Sequence, residues 1–166
     1  LNAELFWYKN NGAIYLESKN SVLSADGVIK KDIHINQLKS RFYIYPEQVD
    51  EAKKQWIVKG SDMLLDSDAV TLNPQFKLNT ATGFMSLYVD VSPLALNEVS
   101  NLFPASLMGV NTDKYLTRAF NGEGEITKAR VLWHGRTSNF PFEDNSGIFQ
   151  AYVDIKQGDF LFAPNW

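Results

Sequence analysis

Apolar and polar residues alternate with a period of two along most of this chain, the signature of extended strands with two distinct faces. Ala3, Leu5 and Trp7 fall on one side of the opening run, with Glu4, Phe6 and Tyr8 on the other. Ile29, Ile33 and Ile35 alternate with Lys30, Asp32, His34 and Asn36, and Phe42 and Ile44 oppose Tyr43 and Tyr45. Trp56 and Val58 form a short run before Gly60, and Met85, Leu87, Val89 and Val91 alternate with Ser86, Tyr88 and Asp90. Farther on, Ala129, Val131 and Trp133 alternate with Lys128, Arg130 and Leu132. Phe149, Ala151, Val153 and Ile155 alternate with Gln150, Tyr152 and Asp154, and Phe160 and Phe162 repeat the pattern. Their β-branched and aromatic content suits strands. Asn10-Asn11-Gly12, Ala25-Asp26-Gly27, Asn145-Ser146-Gly147 and Gln157-Gly158-Asp159 supply the positive-φ positions of hairpin turns. The pattern predicts an antiparallel sheet.

One stretch departs from period two. Ser92 before Pro93 reads as a helix start, followed by Leu96, Val99, Leu102 and Phe103 at helical spacing and closed by Pro104. After Met108-Gly109, Asn111 or Thr112 can cap a second short helix bearing Leu116, Ala119 and Phe120, ended by Asn121-Gly122. This predicts a helical insert over about 92–120 at the side or edge of the sheet. Nothing in the composition splits the chain, so residues 1–166 read as one β-rich segment. The chain opens at Leu1 inside an alternating run and stops at Trp166 just after an apolar one, so it is expected to be an internal piece of a longer protein.

Composition sharpens this picture by exclusion. Sixteen Lys+Arg against 19 Asp+Glu give a formal net charge of -3, with no bias toward polyanions, so nucleic acid is not an expected partner. The absence of cysteine excludes disulfides, thiolate metal sites and thiol nucleophiles. His34 and His134 have no partner at metal-ligand spacing. Asp66-Ser67-Asp68 resembles a metal-holding acidic pair but reads better as a solvated turn. Ser106, Ser138 and Ser146 lack the strand–elbow–helix context of a hydrolase nucleophile. Gly122-Glu123-Gly124 precedes a strand, whereas a phosphate-cradling loop feeds a helix. Glu143 and Asp144 are adjacent and point apart in extended chain. No enzymatic activity, metal or cofactor is expected. The informative feature is apolar excess: Phe6 beside Leu5 and Trp7, Tyr43 and Tyr45 beside Phe42 and Ile44, and Leu132 beside Val131 and Trp133 put large hydrophobes on both faces. A sheet needs that only when both faces are covered or one lines an apolar cavity.

Five stretches carry a resemblance: Asn101 to Gly109 (NLFPASLMG), Tyr115-Leu116, Gly124 to Gly135 (GEITKARVLWHG), Asn139 to Gln150 (NFPFEDNSGIFQ) and Phe160 to Trp166 (FLFAPNW). In this order they resemble the AsmA-like envelope proteins of Gram-negative bacteria. The likeness is carried by Leu94 to Trp166, while the earlier part matches only through Leu16, Phe42 and Trp56 in strands of the expected kind. The resemblance implies a slice of a curved, open antiparallel sheet, the repeating β-groove. It also implies a periplasmic location within a protein anchored in the inner membrane by a helix outside this chain. Its implied role is the passage of phospholipid toward the outer membrane, in support of that membrane's barrier. Its implied partners are phospholipid, the rest of the same chain through strand edges, and membrane proteins at either end.

Taking the more apolar face of each strand, the residues expected to line such a groove are Leu5, Trp7, Ile33, Ile35, Phe42, Ile44, Leu87, Val89, Val131, Trp133, Val153, Ile155, Phe160 and Phe162. The competing reading is a carbohydrate- or protein-binding β-sandwich with Trp7, Trp56, Trp133 and the tyrosines as a platform. A platform sets rings on a convex surface, and a conduit sets aliphatic residues and Phe along one continuous face.

Overall fold

The computed structural model describes residues 1–24, 32–48, 54–101 and 110–158. These residues form one open antiparallel sheet: β1 (Asn2–Tyr8), β2 (Asn11–Leu23), β3 (Ile33–Gln48), β4 (Lys54–Ser67), β5 (Thr71–Asn79), β6 (Phe84–Val91), β7 (Leu94–Ala95), β8 (Glu125–Arg136) and β9 (Ile148–Lys156). Strands β1 to β6 follow one another as a meander. Strand β8 joins β6, receives the short β7 on the same side, and pairs with β9 on its other side. The open single sheet overturns the sandwich form of the competing reading.

Several strands are longer than their local patterns suggest. Ile33–Ile35 and Phe42–Ile44 belong to one strand, and the Trp56–Val58 run is part of a strand reaching Ser67. The first hairpin turns at Lys9 (φ 53) and Asn10, which leaves Asn11 and Gly12 already within β2. The sequence pattern yields only Leu16 of strand β2 and nothing of strand β5, which carries Pro74 in its middle. That proline is tolerated because β4 makes no paired contact there: Gly60 opposes Phe76, Leu65 opposes Leu72, and Pro74 falls in the irregular interval between them.

Ser92 does not cap a helix. It follows directly on β6 and ties that strand's end to the start of β5, donating its N–H to Thr71 O at 2.9 Å and accepting the Thr71 N–H on Oγ at 2.8 Å. A 3₁₀ turn follows at Leu96–Asn101, and helix α1 spans Val110–Ala119, so Asn111 and Thr112 lie inside its first turn. Ile29, the Ala25-Asp26-Gly27 turn, Leu102, Phe103, Pro104, Ser106, Met108, Gly109, Phe160 and Phe162 lie outside the described residues.

The core sits at one corner of the sheet. Leu94, Leu96 and Val99 pack with Val70, Ile126 and Ala129, and Leu72, Val91 and Phe120 lie against them. Leu96 is fully buried, and its N–H is anchored on Gly124 O at 3.0 Å. Ser67 closes the nearby β4–β5 turn by exchanging hydrogen bonds with Val70: its Oγ donates to Val70 O at 2.7 Å and accepts the Val70 N–H at 3.1 Å.

Strand β1 stands at a sheet edge, exposed along its whole length. Leu5, Phe6, Trp7 and Tyr8 are each more than half exposed, and Glu4 is the strand's sole charge. An edge of this kind templates pairing with further strands. The isolated chain should therefore self-associate with rising concentration, and Phe6→Lys should suppress the association. Sedimentation showing a strict monomer at all concentrations would count against this.

Candidate functional site

Residues directly opposed in an antiparallel pair project to the same side, so the registers can be chained across the sheet. Leu5 opposes Ile14, then Phe42, Gly60, Phe76, Leu87, Trp133 and Phe149 in turn. A second row on the same face runs through Trp7, Gly12, Ile44, Val58, Leu78, Met85 and Gly135. A third runs through Ser18, Leu38, Leu65, Leu72, Val91, Ala129 and Val153. Between the first and third rows lie Ala3, Leu16 and Ser40 at one end and Pro74, Val89, Val131 and Ala151 at the other. Among the paired positions on this face the sole charged residue is Lys54, at the very start of β4. The opposite face carries Lys39, Arg41, Lys59, Lys77, Asp90, Lys128, Arg130 and Asp154.

Three bulges hold the uncharged face together where simple alternation fails. Strand β4 gains a residue relative to both neighbours between Gly60 and Leu65, where Asp62 has φ 49, so these two residues share a face five positions apart. Arg41 pins the bulge through a 3.0 Å ion pair with Asp62. Strand β3 gains a residue at Asn36, so Ile35 opposes Ser67 and joins the face of Phe42 and Ile44. Strand β8 gains one at Thr127, which brings Ile126, opposite Ile155, onto the face of Ala129. Leu5, Trp7, Ile33, Ile35, Phe42, Ile44, Leu87, Val89, Val131, Trp133, Val153 and Ile155 therefore all lie on one side. That side also carries Ile14, Leu16, Leu38, Val58, Leu65, Leu72, Phe76, Leu78 and Met85, which the groove assignment from sequence leaves out. Their signal was present as the alternations Ile14/Leu16 and Leu72/Phe76/Leu78.

Aromatic rings lie against this face. A Cβ on Gly12 would come within 2.5 Å of the Trp7 ring, so the glycine makes the bed on which Trp7 rests. Trp7 also stands 6.1 Å from Trp56 and donates its Nε1–H to Lys9 O at 2.8 Å. At the far end of β8, Phe140 stacks on Trp133 with centroids 5.1 Å apart, and Phe142 meets Trp133 edge-on at 5.0 Å. Phe149 completes this cluster, 5.9 Å from Trp133 and 5.7 Å from Phe140. Phe142 covers Gly135, where a Cβ would lie 2.7 Å from its ring. Trp133 is thus committed to its own cluster, not to a platform shared with Trp7 and Trp56.

The other face holds the titratable groups. Lys77 pairs with Glu47 at 2.8 Å, and Arg130 pairs with Asp90 at 3.1 Å. Hydrogen bonding to Glu47 raises the Lys77 ammonium above its ordinary pKa, and Asp90 and Asp154 raise the hydroxyls of Tyr88 and Tyr152 in the same way. His134 Nδ1 lies 2.9 Å from Ser86 Oγ with Phe84 edge-on to its ring at 4.9 Å. Asp66 accepts a 2.7 Å hydrogen bond from Thr71 Oγ1. Asp144 accepts the Ser146 N–H at 3.0 Å, and hydrogen bonding to Ser146 lowers its pKa. Among the described residues no group of three or more His, Asp or Glu side chains could hold a metal ion. No helix among them is long and apolar enough to cross a membrane.

Over 64 residues, 39% of this chain, the sequence is 36% identical to the intermembrane phospholipid transporter YhdP of Escherichia coli (strain K12). That match spans 5% of the relative's length. No solved structure matches the chain. The YhdP protein family matches residues 1–166, the full length of the chain, and the chain belongs to that AsmA-like family.

Proposed function

We propose that the uncharged face is a stretch of a path along which a YhdP-type protein passes phospholipid between the inner and outer membranes, in support of the outer-membrane barrier. The observation that carries this reading is the continuity of the face: its rows together reach from β1 to β9, and among its described paired positions only Lys54 is charged. Acyl chains laid on such a surface bury apolar area at about 25 cal/mol per Å² wherever they rest. Binding of this kind is nearly uniform along the path, so no single position traps a chain. A phosphate headgroup stays in water at the rim, where desolvation costs nothing.

The role is one of carriage, without catalysis or cofactor. The groove is lined by Leu5, Trp7, Ile33, Ile35, Phe42, Ile44, Leu87, Val89, Val131, Trp133, Val153 and Ile155. The segment belongs to the periplasmic part of a protein anchored in the inner membrane, with the exposed edges of β1 and β9 continuing into neighbouring sheet.

Photo-crosslinking in the full-length protein tests the reading. A crosslinking residue at Val153 should capture lipid, and one at Lys128, exposed on the opposite face, should not. Equal capture at both positions would overturn the assignment.

A further inference from the structure

Along β8 the positions on the uncharged face are unequally open. Ile126 and Ala129 are buried in the cluster that contains Leu96 and Val99, and Gly135 is buried under Phe142. Only Val131 and Trp133, between them, are half-buried, and Trp133 is already occupied by Phe140 and Phe142. Trp133 lies four positions beyond Ala129, about 13 Å of strand at 3.3 Å per residue, and side chains intrude on that interval from both ends. The adjacent strands repeat the arrangement. Val89 opposes Val131 from β6, flanked by Val91 against the helical cluster, and the exposed Ala151 opposes Val131 from β9.

We infer, on the reading of this face as an acyl-chain path, that β8 is a constriction in it. Val89 and Val131 form its floor, the 3₁₀ turn that carries the buried Leu96 and Val99 backs one wall, and Phe140 with Phe142 beneath it forms the other. Floor and walls are uncharged, so the constriction selects by width. Lipids with two acyl chains pass one molecule at a time, and lipids carrying more chains side by side are held back. The constriction lies between strands β1–β5 on one side and β9 on the other, so an obstruction here separates lipid on the two sides.

The test uses the full-length protein in cells, with photo-crosslinking residues at Ile44 on β3 and at Val153 on β9, one on each side of the constriction. Val131→Trp fills the floor without adding charge. It should change the ratio of lipid captured at the two positions several-fold, while Lys128→Trp, exposed on the opposite face of β8, should leave the ratio unaltered. Where Val131→Trp fails to accumulate, Ala151→Trp obstructs the same point from an exposed position and should shift the ratio in the same direction. An unchanged ratio, with both positions still capturing lipid, overturns the constriction and leaves the path intact. Absence of lipid at both positions in the otherwise unmodified protein overturns the path itself.

Discussion

Val131→Asp should abolish lipid passage in the full-length protein while the protein still accumulates in the envelope. Val131 stands in the middle of the uncharged face, with Val89 opposite on one side and Ala151 on the other. A carboxylate there has two options. It can keep its water, interrupting the apolar surface, or it can be covered by acyl chains at a cost of several kcal/mol. Either outcome turns a nearly level path into a barrier. Val153→Asp should act in the same direction but less severely, because Val153 is 36% exposed and its carboxylate can reach solvent. Charge reversal at Lys128 or Arg130 should be mild. Those residues are exposed on the other face, and the exposed Arg130–Asp90 pair is worth at most about 1 kcal/mol. Detergent sensitivity of cells at matched protein abundance is the measurement, and normal resistance with Val131→Asp would refute the groove assignment.

Phe142→Ala should be among the most destabilising single substitutions in the chain. Phe142 is 7% exposed, meets both Trp133 and Phe140 edge-on, and lies over Gly135 and Gly147. Truncation removes the ring and leaves a cavity bounded by glycine backbone, which has no side chains to collapse into it. A loss of about 3–5 kcal/mol is expected for a buried phenylalanine. Tyr8→Ala, at a side chain 73% exposed on the edge strand, should stay within about 0.5 kcal/mol. Urea unfolding reads both: for Phe142→Ala the midpoint should fall with an unchanged slope. A loss below about 1 kcal/mol would show that the aromatic cluster does not hold this end of the sheet.

Strand after strand, the sequence by itself determined which positions are apolar and that they alternate with period two. That is enough to specify an antiparallel sheet, because alternation is a property of each local backbone. It also marked the break at Ser92 and the turn at Asn145-Ser146-Gly147. Resemblance to the AsmA-like proteins came from strings such as GEITKARVLWHG and NFPFEDNSGIFQ, legible without any fold. The sharing of one face by apolar residues from different strands was a matter of tertiary structure. Counting in twos from Ile35 puts Phe42 on the wrong side, and counting from Gly60 misplaces Leu65. The bulges at Asn36 and near Asp62 correct both, and a bulge is defined only by the partner strand against which one residue is extra. Pro74 illustrates the same dependence, since it looks like a strand breaker until the irregular stretch of β4 beside it removes the need for its missing donor. The capping of the face was equally non-local. Phe142 reads as one aromatic in a loop, and its burial over Gly135 and Trp133 exists only because β8 and β9 bring those residues beneath it.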